Sequence, residues 1–374
     1  MDKAVAKILQ KDLVGNDVVT PEELSVLMQV TDEEVLAKIY KKAYEVKTAY
    51  VDNVAYYRGL IEFSNRCIKN CKYCGIRREN DKAERFDMTE EEILEMARWA
   101  YDHEYGSITL QSGERTDDEF VDYMIELIQK IKQIGDGSLG ITMCVGEQTE
   151  EAYKRMKEAG ASRYLLRIET SNQKLYETIH PKDDLHSYQT RVNCLKAIRK
   201  AGLQVGTGVM IGLPGQTLQD LVDDILFYKD MDIDMIGMGP YVVHHDTPLG
   251  QEALQAGLDT EKKKLERLQL GLKMIAFTRL YLKDVNIAAT TALQALDPLG
   301  REKGLVAGAN ILMPIITIPK HRAKYLLYDN KPCVDDNADK CKDCLTRRVM
   351  SIGDRVGWKA NGDSKHYFKR MHHV

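Results

Sequence analysis

Short apolar or β-rich runs alternate with longer amphipathic stretches along most of the chain, whereas the first fifty or so residues predict helices only. The short runs predict eight strands, at 57–64, 107–111, 138–144, 163–169, 204–211, 235–240, 286–290 and 308–313. Many of the amphipathic stretches begin with a threonine N-cap, which is often followed three residues later by glutamate. The predicted caps are Thr20, Thr31, Thr89, Thr116 and Thr149.

Strand and helix alternate eight times over roughly 260 residues, which matches the length and order of a (β/α)8 TIM-type barrel. We therefore expect an α/β fold of this kind. A doubly wound open sheet is the alternative, because alternation alone does not determine whether a sheet closes. The predicted divisions are an N-terminal helical extension (1–55), the barrel (56–315) and a C-terminal extension that carries cysteines (316–374).

The composition of the 374-residue chain, with 44% hydrophobic and 29% charged residues and a formal net charge of −4, is typical of a globular protein. It provides no clustered basic surface for nucleic acid. No apolar run reaches the length of about 18 residues that a membrane helix needs, and the start of the chain lacks the apolar core of a signal peptide. We therefore expect a cytoplasmic protein that binds neither membrane nor nucleic acid. Its eight cysteines are too few for a disulfide scaffold and indicate metal binding or catalysis.

Three of these cysteines, Cys67, Cys71 and Cys74, lie directly after the first predicted strand. Structural zinc sites usually have four ligands, so three thiolates on one short loop leave a tetrahedral ion incomplete. Three thiolates suit a 4Fe-4S cluster with one open iron, which can bind a substrate or cofactor. Three cysteines without metal are the alternative.

Polar residues end or directly follow several of the predicted strands. Arg167 with Glu169, and Thr290 with Thr291, are predicted to end theirs. Barrel enzymes carry their chemistry on the loops at the C-terminal ends of the strands, so we expect these side chains to meet at one face. They are Asn65, Arg66, Gln111, Ser112, Gly113, Glu114, Arg167, Glu169, His244, His245, Asp246, Thr290 and Thr291.

The C-x3-C-x2-C spacing in this position resembles the radical S-adenosylmethionine (SAM) superfamily. Longer strings resemble the HydE family of FeFe-hydrogenase maturases more than its relatives, biotin synthase and the methylornithine synthase PylB. These strings include Ile61-Glu-Phe-Ser-Asn-Arg-Cys67, Thr109-Leu-Gln-Ser-Gly-Glu114, Leu213-Pro-Gly-Gln-Thr217 and Asp246-Thr-Pro-Leu249. The resemblance extends from about residue 30 to the C-terminal cysteines.

The resemblance implies a 4Fe-4S cluster on the cysteine triplet, with SAM chelating the fourth iron. An electron from the cluster would cleave the C5′–S bond of SAM and release a 5′-deoxyadenosyl radical, and the open iron would make the activity oxygen-sensitive. The implied SAM contacts are Tyr73 on adenine, Gln111, Ser112 and Gly113 on the methionine amino group, Glu169 and Arg191 on the ribose and carboxylate, and Tyr325. The implied contacts in the substrate cavity are Arg167, Thr290, Thr291 and Tyr328. Family members often carry a histidine where this chain has Ile168, which we expect to face away from its two neighbours.

The resemblance further implies a substrate and partners. The substrate would be a small iron carbonyl–cyanide complex bearing cysteine, supplied by the maturase HydG, and the product would pass toward HydF. The alternatives are a HydE-like paralogue or a PylB-like amino-acid mutase with another small-molecule substrate, and a non-catalytic iron–sulfur carrier. Basic residues around the triplet predict a docking patch for an acidic electron donor, a flavodoxin or ferredoxin. They are Arg66, Lys69, Lys72, Arg77 and Arg78.

A second cysteine group, Cys333, Cys341 and Cys344, follows the barrel. It resembles the accessory iron–sulfur site of some HydE proteins, commonly a 2Fe-2S cluster. The spacing alone leaves a zinc site or a redox-inactive tail open, because only three thiolates are visible and the fourth ligand is unknown. The remaining Cys144 and Cys194 are predicted to pack in the core.

The adjacent pair His244 and His245 precedes Asp246, and two histidines with a carboxylate are a common metal triad. Neighbouring residues of an extended loop point to opposite sides, however. We therefore expect this segment to fix a loop at the rim of the cavity rather than to bind metal.

Overall fold

The fold is that of a computed structural model, which describes residues 3–372. Three helices, α1 (Lys3–Leu9), α2 (Pro21–Met28) and α3 (Glu33–Val51), precede the first strand. The strands are β1 (Val54–Ser64), β2 (Ser107–Ser112), β3 (Gly140–Cys144), β4 (Arg163–Leu165), β5 (Gln204–Thr207), β6 (Met210–Ile211), β7 (Met235–Ile236), β8 (Gly239–Pro240), β9 (Asn286–Ile287), β10 (Ile311–Leu312) and β11 (Arg355–Val356). The remaining helices are α4 (Glu90–Asp102), α5 (Asp118–Lys132), α6 (Glu150–Ala159), α7 (Gln173–Ile179), α8 (Tyr188–Lys200), α9 (Leu218–Asp230), α10 (Pro248–Gln255), α11 (Glu261–Leu282), α12 (Thr291–Leu296), α13 (Gly300–Val306), α14 (Pro319–Arg322), α15 (Ala338–Ser351) and α16 (Lys365–His372).

Eight of the strands form a closed parallel barrel, in the order β10-β1-β2-β3-β4-β5-β7-β9. The two ends of this order meet where Ala288 bridges Ile311 in parallel. The Asn310 N–H beside that bridge donates to the Ile287 carbonyl at 2.9 Å. The (β/α)8 barrel predicted from the sequence is therefore confirmed, and the open doubly wound sheet is excluded.

Each predicted strand coincides with an observed one, but two of them are interrupted. The predicted strand 204–211 is β5 followed by β6, and 235–240 is β7 followed by β8. The second members, β6 and β8, pair with each other and not with the main ring. Gly208 lies in the first interruption, where a Cβ would sit 2.1 Å from the Gly237 carbonyl oxygen. Backbone approach this close requires glycine and separates each strand into two.

Three of the predicted threonine caps are present, and each accepts a hydrogen bond from the N–H three residues further on. They are Thr20, Thr89 and Thr149. The other two predictions were wrong by one residue, because Asp32 caps in place of Thr31 and Asp117 in place of Thr116. A carboxylate accepts the same bond and also carries the negative charge that a helix N-terminus favours.

The C-terminal segment closes the end of the barrel where the strands begin. β11, which the sequence did not predict, pairs in parallel with the start of β1. Further along, the Gly362 carbonyl accepts from Arg58 at 3.1 Å, and the Asp363 carboxylate forms an ion pair with Arg163. Both arginines are almost fully buried. The tail therefore supplies the acceptors that these two buried charges need.

The N-terminal helices pack on the outside of the barrel, where α3 lies against α11 and α13. Lys47 of α3 is buried there and forms an ion pair with Asp354 in the C-terminal segment. The division into 1–55, 56–315 and 316–374 stays a prediction, and residues 1, 2, 373 and 374 lie outside the described range. Among residues 3–372, no helix is long and apolar enough to cross a membrane.

Candidate active site

A cavity of about 330 Å³ lies at the C-terminal ends of the strands. Its wall brings together all of the residues predicted for the first cysteine group, for SAM and for the substrate. They are Cys67, Cys71, Cys74, Tyr73, Gln111, Ser112, Gly113, Glu169, Arg191, Tyr325, Arg167, Thr290, Thr291 and Tyr328. The carboxyl ends of parallel strands meet at one face of a barrel, which is why residues so distant in sequence share one space.

The loop after β2 fixes the cysteine loop after β1. The Glu114 N–H donates to Cys67 Sγ at 3.3 Å, and the Ile68 N–H donates to the Glu114 carbonyl at 2.9 Å. A Cβ on Gly113 would lie 2.2 Å from the Arg66 carbonyl oxygen, so only glycine allows the two loops to approach this closely. Burial raises the pKa of the Cys71 thiol to about 12.

Tyr73 is oriented by a histidine that the sequence analysis missed. The Tyr73 hydroxyl lies 3.3 Å from His180 Nε2, and the two rings meet edge to face at 5.4 Å. His180 Nδ1 lies 2.9 Å from the Tyr176 carbonyl, which accepts only, so Nδ1 carries a proton. Burial lowers the pKa of His180 to about 3, so the imidazole is neutral and its Nε2 accepts from Tyr73.

Four buried or nearly buried charges surround the base of the cysteine loop: Lys69, Glu114, Glu147 and Arg191. Lys69 Nζ lies 2.7 Å from Glu147 and 3.1 Å from Glu114, and Arg191 Nε lies 2.6 Å from Glu147. The assignment of Lys69 to a surface docking patch was therefore wrong, because two carboxylates hold it inside. Burial opposes the charged form of Lys69, but these carboxylates outweigh it and raise its pKa.

Arg167 and Glu169 lie side by side on the cavity wall. Both Nε and Nη2 of Arg167 donate to Glu169 Oε2, at 3.1 and 2.8 Å. Glu169 has a φ of 67°, in the left-handed region that residues other than glycine rarely adopt, and such strain concentrates at functional sites. Ile168 is fully buried and is not part of the cavity wall.

The two threonines of the lower cavity differ in their hydrogen bonds. They do not end a strand as predicted, because β9 ends at Ile287 and α12 begins at Thr291. Thr291 Oγ1 is 2.7 Å from the Tyr328 hydroxyl, whereas the buried Thr290 Oγ1 has no hydrogen-bond partner. An unpaired buried hydroxyl in a cavity wall is available to a ligand.

The sequence of the chain matches a known enzyme family. The profile of the radical SAM superfamily matches residues 61–228. The [FeFe] hydrogenase maturase subunit HydE of Thermotoga maritima is 41% identical over 90% of this chain and 92% of its own length. The chain belongs to the HydE family of radical SAM enzymes.

Two solved structures support the fold of this HydE-family chain. Methylornithine synthase PylB superimposes with a TM-score of 0.77 at 23% identity, over 94% of this chain and 98% of PylB. The maturase HydG of Carboxydothermus hydrogenoformans superimposes with a TM-score of 0.78 at 20% identity, over 97% of this chain and 81% of HydG.

Radical SAM enzymes use a 4Fe-4S cluster and SAM, and the residues present in this HydE-family chain fit both groups. Three free thiols on one loop form a donor set that leaves one iron open. Arg191 lies in the cavity wall and pairs with Glu147 through Nε at 2.6 Å. A guanidinium fork in the cavity wall suits the carboxylate of an amino-acid cofactor.

Two features of the cavity wall escaped the sequence analysis. Glu62 of β1 binds Lys331 through both carboxylate oxygens, at 2.6 and 2.7 Å, and both residues are buried. Cys144 lies in the wall next to Arg167 and Glu169, so its assignment to the core was wrong, and burial raises its pKa to about 12. A charged residue within the apolar strand 57–64 was the available signal for Glu62.

The histidine pair packs beside the cysteine loop, and the prediction that the two side chains point to opposite sides was wrong, because both rings lie on the same side. They stack at 5.3 Å because the chain turns at this point, with the His244 carbonyl accepting from the Thr247 N–H. His245 Nδ1 binds Asp329 at 2.9 Å. His244 packs against Gly75, where a Cβ would lie 2.2 Å from its ring, so the pair supports the cysteine loop.

The second cysteine group lies outside this cavity. Cys333, Asp336 and Cys341 each place one ligand atom within 4.8 Å of the others, and Cys344 lies one turn further along α15. Cys194 is buried in the core as predicted. The pKa of Cys333 is lowered to about 6 by a hydrogen bond with Cys341 and by Arg301, against the effect of burial.

Proposed function

We propose that this radical SAM enzyme acts in FeFe-hydrogenase maturation, on a small iron carbonyl–cyanide complex that bears cysteine. The observation that carries the proposal is the single cavity shared by the cysteine loop, the predicted SAM residues and a lower group of anion-binding side chains. The similarity to the Thermotoga HydE subunit over nine-tenths of the chain supports the same role.

In this proposal Cys67, Cys71 and Cys74 hold the cluster at the mouth of the cavity. When bound, the cluster and SAM supply a 5′-deoxyadenosyl radical by reductive cleavage. Because burial keeps the thiol of Cys71 protonated in the metal-free chain, cluster binding must release protons. The N–H of Glu114 donates to Cys67 Sγ and stabilises the thiolate form there.

The SAM residues divide by chemistry. Tyr73, oriented by His180, presents an aromatic ring for adenine, and the Gln111-Ser112-Gly113 turn presents carbonyl and hydroxyl groups for the methionine ammonium. Arg191 presents its guanidinium in the cavity wall for the methionine carboxylate. Glu169 accepts from the ribose hydroxyls, and Tyr325 forms the buried wall beside Gln111.

The lower cavity binds the substrate. Arg167 supplies a positive charge, and Thr290, Thr291 and Tyr328 supply hydroxyl groups, which together suit cyanide and carboxylate groups on a small anionic complex. Apolar residues also line the cavity wall. Such a wall excludes water and quenching groups from a radical reaction. They are Leu60, Leu165, Met210 and Met313.

The test combines two anaerobic assays. Reconstituted protein with dithionite and SAM should form 5′-deoxyadenosine, whereas the Cys71→Ala variant should form none above background. The same protein, with HydG and HydF, should then support activation of apo-hydrogenase. Formation of 5′-deoxyadenosine without activation would instead support a paralogue or a PylB-like mutase, and absence of 5′-deoxyadenosine would support a non-catalytic iron–sulfur carrier.

We propose an accessory 2Fe-2S cluster on Cys333, Cys341 and Cys344, as in some relatives. The closeness of Cys333 and Cys341 supports a metal there. We also propose a cytoplasmic location, because all eight cysteines are free and thiols persist in a reducing compartment. The proposed oxygen sensitivity follows from the one iron of the first cluster that has no protein ligand.

An acidic flavodoxin or ferredoxin is the proposed electron donor. With Lys69 excluded, the patch consists of Arg66, Lys72, Arg77 and Arg78, of which Arg66 and Arg78 are about half exposed. Raising the salt concentration should slow reduction by the protein donor, because salt screens attraction between exposed charges, and should leave reduction by dithionite unchanged. Equal effects of salt on both reductants would contradict a charged docking patch.

A further inference from the structure

Each sulfur of the second cysteine group faces its own arginine. Arg301 Nη2 lies 3.6 Å from Cys333 Sγ, and Arg322 Nη1 lies 3.8 Å from Cys341 Sγ. The Arg348 side chain hydrogen-bonds to Cys344. Arg322 is fully buried and also binds the Cys333 carbonyl at 3.0 Å. Three guanidinium groups around three thiols indicate a site built to hold several negative charges together.

The backbone turns Cys333 toward the other ligands. Its φ of 64° lies in the left-handed region, which is strained for a residue other than glycine. Cys341 and Cys344 are three residues apart on α15 and therefore share one face of that helix. Strain of this kind persists only where the surrounding structure requires it.

Asp336 lies beside two of these sulfurs. One of its carboxylate oxygens is within 4.8 Å of both Cys333 Sγ and Cys341 Sγ, in a group whose members are all half-buried or buried. Ligand atoms around one tetrahedral metal are roughly 3.5–4 Å apart. Small movements would therefore bring the ligand atoms of Cys333, Asp336 and Cys341 to that spacing. Asp and Glu oxygens bind zinc and other metal ions alongside thiolates.

The other aspartates of this segment are directed elsewhere. Asp335 and Asp343 are exposed, and Asp339 lies 3.4 Å from His103, which follows α4. We propose that Asp336 is the fourth protein ligand of the C-terminal metal site, together with Cys333, Cys341 and Cys344. The assignment rests on the proposed accessory site and adds a residue to it.

The charges of this ligand set are consistent with the assignment. Three thiolates and one carboxylate carry four negative charges, which a dipositive metal or cluster would reduce to two. Arg301 and Arg322 offset these two negative charges, whereas Arg348 also pairs with Glu302. Without the carboxylate, the fourth position would be left to water or an exogenous thiol, and metal would be lost more readily.

The experiment uses the full chain with Cys67, Cys71 and Cys74 all changed to serine. The first cysteine group then cannot bind a cluster, and the second group is tested by itself. Asp336→Ala, Asp336→Asn and Asp336→Cys are compared with Asp335→Ala as the matched control. Each protein is incubated anaerobically with iron and sulfide, or with zinc alone, and desalted. Iron, sulfide and zinc are counted, visible absorption is recorded, and circular dichroism verifies folding.

We expect Asp336→Ala and Asp336→Asn to retain at least tenfold less metal than Asp335→Ala. Asp336→Cys should retain it, with stronger sulfur-to-metal absorption. The metal that the parent chain retains, iron with sulfide or zinc, identifies the occupant of the site. The Asp336 variants are compared with Asp335→Ala for whichever metal is retained. Equal retention in Asp336→Asn and Asp335→Ala, or no retention by the parent chain, would overturn the assignment.

The wild-type chain with its first cysteine group intact is assayed in parallel for 5′-deoxyadenosine. Failure of that assay counts against the proposed radical activity and leaves the Asp336 comparison unaffected. A normal 5′-deoxyadenosine yield together with equal metal retention would reject the Asp336 ligand alone.

Discussion

Thr290 and Thr291 are neighbours in the cavity wall, and they should respond differently to loss of the hydroxyl. Thr291→Val leaves the Tyr328 hydroxyl without its 2.7 Å partner and should lower the free energy of unfolding by about 1 kcal/mol. Thr290→Val removes a buried hydroxyl that has no partner, so it should leave stability unchanged or raise it. Urea unfolding of both metal-free variants measures the difference.

A double-mutant cycle with Tyr328→Phe separates the hydrogen bond from packing. The coupling between Thr291→Val and Tyr328→Phe should be close to the full loss, whereas Thr290→Val and Tyr328→Phe should be additive. Equal destabilisation by the two valine variants would contradict the hydrogen-bond assignment.

At this scale the sequence predicts which residues reach the cavity better than it predicts their partners. Every side chain assigned to the SAM and substrate groups lies in the wall. Lys69 and Cys144 were wrongly assigned, because their surroundings are set by residues from other strands. The carboxylates that bury Lys69 come from the loops after β2 and β3, and no local pattern records that contact.

Among the helices, α16 is attached to the barrel by ion pairs that involve His366, Lys369 and Arg370. His366 lies between Asp284 at 3.2 Å and Asp232 at 2.5 Å, and its side chain is 30% exposed. Hydrogen bonding to Asp284, and then to Asp232, raises the pKa of His366 despite partial burial. Lys369 binds Asp284 and Arg370 binds Asp232 on the same surface.

The raised pKa fixes the direction of the pH dependence of α16. The contribution of His366 is complete below its unfolded pKa of about 6.5 and is lost as the pH rises through the higher folded value. Hydrogen exchange of the α16 amides, corrected for intrinsic rates, should therefore show less protection at pH 9 than at pH 6. His366→Gln should remove most of this difference, and an unchanged pH dependence in that variant would contradict the role of His366.

The sequence predicts the order of the helices and strands better than it predicts the residues at which they begin and end. The barrel strands and several helix starts are readable because burial imposes periodicity and caps use few residue types. The contacts by which the C-terminal segment closes the barrel could not be predicted from such patterns. β11 has two residues, and Gly362 and Asp363 act through a carbonyl and a single carboxylate, neither of which produces a repeating pattern.

For the whole molecule, the proposed cofactors should stabilise the fold, because they bind several elements at once. The residues proposed to bind them come from the end of β2, from the loops after β1, β2 and β4, from α8 and from the segment after α14. A ligand that binds only the folded chain stabilises it by about 2.7 kcal/mol at a hundred times its Kd. SAM should therefore raise the melting temperature of the anaerobically reconstituted protein.

The matched control for this stabilisation is Cys71→Ala, treated in the same way. SAM should raise its melting temperature much less, because the metal chelation that fixes SAM is missing. Exposure of the wild-type protein to air should reduce the SAM effect to that of the variant. Equal shifts in the two proteins before exposure would contradict cluster-dependent binding.

The pairing of β1 with strands from the far end of the chain also determines when the molecule can be completed. β1 is flanked by β2 on one side and by β10 on the other, and β11 covers its start. The ring therefore cannot close until β10 has been synthesised, long after β1 and the cysteine loop that follows it. The loop that carries the three thiols is thus made well before the barrel that supports it is complete.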